Sequence, residues 1–129
     1  MTLLDIARQA IAACAGEPRC QAAAAELDVG GRRVHLVGAG KAAGQMARGV
    51  AAGLPATLRS GLVVTKDGHF EGFSLDGVEV RFASHPEPDA RSVGAADAII
   101  ERLSAFGRDE LVVAVLSGGA SSLLASPAR

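Results

Sequence analysis

Two short glycine-bearing stretches hold the residues of this sequence best suited to chemistry. Gly38-Ala39-Gly40-Lys41 sets an ammonium directly behind two closely spaced glycines, and Ser117-Gly118-Gly119-Ala120-Ser121-Ser122 offers backbone N–H groups beside three hydroxyls. Glycine lets a backbone turn tightly and approach a ligand closely. Where such a turn opens a helix, the first N–H groups have no partner in the helix and favour an anion, phosphate above all. The hydroxyls of Ser117, Ser121 and Ser122 can donate to phosphate oxygens or join a Mg²⁺ shell. Ser121 is equally suited to cap the helix that follows. Lys41 runs against local rules, because a lysine in a first helical turn opposes the macrodipole at a cost of about 0.3–1 kcal/mol. Its neighbours Ala42, Ala43, Gly44 and Gln45 supply no carboxylate to offset that. A locally unfavourable choice of this kind marks functional sites, the plainer alternative being a solvated lysine.

Other candidates are less pointed. Neither loop is a Walker A motif. Gly38, Gly40 and Gly44 approximate a dinucleotide fingerprint with the third glycine one place late, and Asp67 falls where a ribose-binding acid belongs. That supports a rival reading as a nicotinamide-dependent reductase. His35, His69 and His85 are scattered, which suits surface or supporting roles better than a metal site. Glu87 and Asp89 could hold Mg²⁺, but Asp89 is better placed to cap a helix, with Ser92 as the alternative cap. Thr65, Lys66 and Asp67 are candidates to line the same cleft.

These residues need elements to position them. Leu4, Ala7, Ile11 and Cys14 have helical spacing, Gly16 and Pro18 break the run, and Arg19–Leu27 is rich enough in alanine for a second helix. Arg33–Val37 reads as a buried strand, followed from Lys41 by a helix with Ala43, Met46, Ala47, Val50 and Leu54 on one face, ended by Gly53 and Pro55. Gly61–Thr65 and Val78–Ala83 are further strands, separated by a loop over 66–77. Val93, Ala96, Ile99, Ile100, Leu103 and Phe106 mark an amphipathic helix, and Leu111–Leu116 a last strand. Strands alternating with helices predict a Rossmann-like, mainly parallel sheet with helices on both faces. The apolar runs Leu62–Val64 and Leu111–Leu116 predict strands covered on both sides.

Composition narrows the function classes. The 129 residues are 49% hydrophobic and 21% charged with a formal net charge of −1, as expected of one soluble domain. Charges are interspersed and aromatics make up 3%, which argues against a nucleic-acid partner. No run approaches the ~20 apolar residues of a membrane span. Cys14 and Cys20 lack metal-type spacing and read as free thiols of a reducing compartment, with the cytoplasm as the expected location.

Several ordered stretches together resemble the N-terminal domain of the type II glycerate 2-kinases, a family whose members were often provisionally labelled hydroxypyruvate reductases. They are Val37-Gly38-Ala39-Gly40-Lys41-Ala42-Ala43 with Met46-Ala47, Gly61–Thr65 through Gly68-His69, Ser84-His85-Pro86-Glu87-Pro88-Asp89, and Ser117–Ser122 with Leu123-Leu124. The resemblance implies transfer of phosphate from ATP, with Mg²⁺, to the 2-hydroxyl of D-glycerate, in a cleft between this domain and a second α/β domain. It places the catalytic lysine on Lys41 and the phosphate loop on Ser117–Ser122, with Ala120 where a third glycine is commoner. Gly38 and Gly40, with Ser117, Gly118, Gly119, Ala120, Ser121 and Ser122, are accordingly the expected nucleotide-binding residues, and no residue is assigned to a metal. On this reading residues 1–129 are the first part of the kinase domain, incomplete at Arg129 and expected to be inactive alone. A non-catalytic sugar-phosphate-binding module stands beside the reductase as an alternative.

Overall fold

A computed structural model describes residues 1–70 and 74–127. Residues 71–73 of the loop expected over 66–77, and Arg129, lie outside the described residues. The elements run α1 Leu3–Ala13, α2 Gly16–Ala25, β1 Val34–Ala39, α3 Ala43–Gly53, β2 Leu58–Lys66, β3 Val78–Ala83, α4 Ala90–Ala105, β4 Leu111–Leu116 and α5 Ala120–Leu123. Four parallel strands form one sheet in the order β3-β2-β1-β4.

Two cores sandwich the sheet. On one face Val34 and Leu36 of β1, Val63 of β2, Val78 of β3 and Val115 of β4 pack with Ala24 of α2 and Ala43, Ala47 and Val50 of α3. On the other, Val37, Ala39, Leu62, Val64 and Ala83 meet Ala95 and Ile99 of α4 and Leu123 of α5. β1 and β2 alternate between these cores, which is why Leu36-Val37 and Leu62–Val64 are apolar without a break.

Two expectations change on the structure. β4 is a border strand in the described sheet, and Val112 and Leu116 are 42% and 65% exposed, so it is covered on one face only. The apolar run was equally compatible with that arrangement. Gly16 and Pro18 do not end a helix but begin one, since α2 starts at Gly16. Proline is tolerated in a first helical turn, where its missing N–H would have no acceptor. α1 forms as its spacing predicts, with a capping box between Thr2 and Asp5, yet buries none of its residues.

Local signals fix α4. Asp89 accepts from the amides of Arg91 and Ser92, and the Ser92 hydroxyl contacts the Asp89 amide in return, closing a capping box at the start of sixteen helical residues. The cap expected at Asp89 is therefore present. It starts α4 just beyond the carboxyl end of β3, so the helix runs back across the sheet and delivers the chain to β4.

Candidate phosphate-binding site

β1 leads into α3 on one face of the sheet, and α4, on the other, returns the chain to β4 beside β1. The strand order therefore reverses between β1 and β4. In open α/β sheets such a switch point leaves a crevice beyond the carboxyl ends of the two strands, where ligands bind. The turns holding Lys41 and Ser117–Ser122 leave these two strands and meet there.

Direct bonds lock the turns together. The Lys41 amide donates to the Gly118 carbonyl at 2.9 Å, the Ser117 amide donates to the Ala39 carbonyl at 3.1 Å, and the Ser117 hydroxyl accepts from the Ala42 amide at 3.0 Å. Close approach requires the two glycines of the first turn. A Cβ on Gly38 would lie 2.6 Å from the Val115 carbonyl oxygen, and one on Gly40 2.7 Å from that of Ser117, with Gly40 at φ +132°. Gly38 lies within β1, and the Gly40 amide donates to the Val64 carbonyl. Both glycines, expected as nucleotide-binding residues, thus serve the junction of the two turns.

Hydrogen-bond donors without a partner divide unevenly between the two turns. In the first turn the amides of Gly40, Lys41, Ala42 and Ala43 are all engaged inside the protein. Its contribution is the side chain of Lys41, which is exposed and, among the described residues, makes no ion pair. Lys41 stands just before α3 rather than in its first turn, which lessens its conflict with the helix dipole. In the second turn the amides of Gly118, Gly119 and Ser121 have no acceptor among the described residues, whereas that of Ala120 donates to the Ser117 carbonyl. Gly119 has φ +93°, a left-handed conformation natural to glycine. α5 is only four residues long, so the loop amides, not a helix dipole, supply the positive field.

The aliphatic stem of Lys41 lies along this second turn. A Cβ on Gly119 would stand 3.5 Å from Lys41 Cγ and 2.8 Å from His85 Cδ2, and one on Gly118 would stand 3.8 Å from Lys41 Cε. His69 joins from the loop after β2, its Nδ1 3.1 Å from the Lys41 carbonyl. All four strand ends thus contribute to one rim. Sequence reasoning set His69 and His85 aside; the available signal was that each follows the carboxyl end of a predicted strand.

Other expected residues have different tasks. Asp67 is gripped bidentately by Arg91, both bonds 2.8 Å, and Arg91 also pairs with Asp89 at 2.9 Å. Hydrogen bonds from this guanidinium hold both carboxyls below their usual range. Gly44 lies beneath Phe70, whose Cγ would be 2.5 Å from a Cβ there, so it packs against the β2 loop. Thr65 is fully buried. Ser121 is exposed and Ser122 half-buried. Among the described residues no group of three His, Cys, Asp or Glu is disposed to hold a metal ion.

A Rossmann-like α/β domain with two glycine turns meeting at its switch point is the class that fold and site define. Residues 2–129 match a family model described as "Domain of unknown function (DUF4147)". D-glycerate 2-kinase of Thermotoga maritima is 40% identical over 95 residues, 74% of this chain and 22% of that protein. A provisionally named hydroxypyruvate reductase of Agrobacterium vitis is 47% identical over 95 residues, 74% of this chain and 21% of the relative. The crystal structure of glycerate kinase from Thermotoga maritima superposes with a TM-score of 0.84 at 34% identity, covering 93% of this chain and 28% of that one. The chain belongs to the DUF4147 family and corresponds to the N-terminal domain of the glycerate kinase family. The matched region spans about a fifth of the length of these curated relatives.

Proposed function

We propose that this chain is the phosphate-gripping part of an ATP-dependent glycerate 2-kinase, which phosphorylates D-glycerate at its 2-hydroxyl to give 2-phosphoglycerate. The supporting observation is the meeting, at the β1–β4 switch point, of an ammonium and three amides that have no partner among the described residues. In this reading the amides of Gly118, Gly119 and Ser121 hold phosphate oxygens of the nucleotide. Lys41 neutralises charge on the phosphoryl group in transit, and Ser121 and Ser122 add hydroxyl donors at the loop's edge. Contributions of this electrostatic kind are commonly worth about 3–4 kcal/mol per key donor. ATP fits the donor set. Mg²⁺ finds no cluster of protein ligands among the described residues, so it would arrive on the nucleotide's phosphates.

The domain assignment is part of the same proposal: residues 1–129 form the first part of the kinase domain, and the remaining positioning groups belong to sequence beyond it. Phosphoryl transfer depends on assembled positioning and charge stabilisation, so this chain alone binds nucleotide without turning it over. Isothermal titration tests the reading. ATP binding without NADH binding is expected, together with no ADP release in the presence of D-glycerate. NADH binding in place of ATP binding would overturn it in favour of the reductase, although Asp67, the acid that reading needs for the ribose, is held by Arg91.

A further inference from the structure

The three histidines have different amounts of unspent hydrogen-bonding capacity. His35 is buried at the opposite end of β1, stacked on Phe106 with ring centroids 3.8 Å apart, its Nδ1 2.7 Å from the Ser60 hydroxyl and its Nε2 3.4 Å from Glu110. His69 uses Nδ1 on the Lys41 carbonyl. His85 is half-buried, and neither of its ring nitrogens has a hydrogen-bond partner among the described residues. Its ring edge lies against the α-carbon of Gly119, with Nε2 3.0 Å and Cδ2 2.8 Å from where a Cβ would stand. The stem of Lys41 passes the same position at 3.5 Å. The imidazole edge and the lysine stem therefore both crowd the space where a Gly119 side chain would stand, and among the described residues the amides of Gly119 and Gly118 have no acceptor. Arg91, in the first turn of α4, is occupied by Asp67 and Asp89. His85 thus joins Lys41 as a side chain with unspent donor capacity beside this glycine pair.

We propose that His85 is a ligand-contacting residue of this site, donating from Nε2 to an oxygen of the phosphoryl group seated over Gly118 and Gly119. The inference rests on the phosphate-binding reading above and adds a named side chain to it. Packing alone would make the ring replaceable by any flat group of similar size. Ligand contact instead requires a donor at the Nε2 position, which a glutamine amide can approximate and a phenylalanine ring cannot.

The test uses the 129-residue chain, titrated calorimetrically with inorganic tripolyphosphate, with thermal melting as the check on folding. The wild type is expected to bind, His85→Phe to bind about tenfold more weakly at an unchanged melting temperature, and His85→Gln to recover most of the loss. Wild-type affinity in His85→Phe, a loss in His85→Gln as large as that in His85→Phe, or no uptake of tripolyphosphate by the wild type would each overturn the proposal. ATP is titrated separately. His85-dependent tripolyphosphate binding without ATP binding would leave His85 in place and remove the kinase reading. His85-independent binding accompanied by ATP binding would do the reverse.

Discussion

At the residue scale, the site rests on a division between groups that build it and groups left over for a ligand. Ser117 belongs to the first kind, since its hydroxyl ties the Ala42 amide to the second turn. Ser117→Ala is expected to loosen the junction, costing about 1–3 kcal/mol for the amide left unsatisfied in a part-buried position; chemical denaturation measures it. Lys41 belongs to the second kind. Lys41→Met keeps the stem that lies along Gly118 and Gly119 but removes the charge, so ATP affinity should fall by about tenfold or more while stability is unchanged. A variant that melts early would instead make Lys41 a structural residue. Gly119→Ala should fail on both counts: the left-handed φ is strained for alanine, and its methyl would meet His85 at 2.8 Å. A loss of stability of about 1–2 kcal/mol with weakened ATP binding is expected.

Element by element, the sequence was most readable where one physical cause dominated. β3 has the bounds its alternating pattern predicts and β4 those of its apolar run, and α4 begins at the acid that caps it. It was least readable where causes competed. Pro18 breaks helices in their interiors but is admitted to a first turn, and nothing local says which case applies. The alanines after Lys41 continue a helical pattern that predicts Lys41 within α3; the turn instead carries its amide to the Gly118 carbonyl, a partner remote in sequence. The bridge from Asp67 through Arg91 to Asp89 pins the loop after β2 to the start of α4. Because hydrogen bonds from Arg91 hold both carboxyls below their unfolded values, the stability they add is present above about pH 4 and is lost as the pH falls through their folded values. Melting temperature followed from pH 6 to pH 2 should therefore drop less steeply for Asp67→Asn than for wild type. Equal slopes would show that the bridge contributes nothing measurable.

For the whole molecule, what the sequence left open was which strand would lie at the border. Apolar residues at every position of Leu111–Leu116 suit a central strand, yet in the described sheet β4 has a neighbour on one side only and exposes Val112 and Leu116. An apolar border strand with unpaired backbone groups is a template for association. The chain should therefore self-associate with rising concentration in sedimentation experiments, and Leu116→Lys should reduce that without lowering the melting temperature. The Rossmann-like class and the convergence of two glycine turns were legible from alternating elements, because parallel strands must place such turns at one rim. The gathering of His69 and His85 was not, since it depends on the paths of loops whose spacing carries no periodic signal.

The most direct check on the central claim, that the turns after β1 and β4 together hold phosphate, is an NMR titration of backbone amides in this chain with ATP. The account predicts that the resonances of Gly118, Gly119 and Ser121 move together and saturably, and that Lys41→Met weakens the response. Saturable shifts elsewhere that spare these three amides, or none at ATP concentrations in the millimolar range, would contradict it.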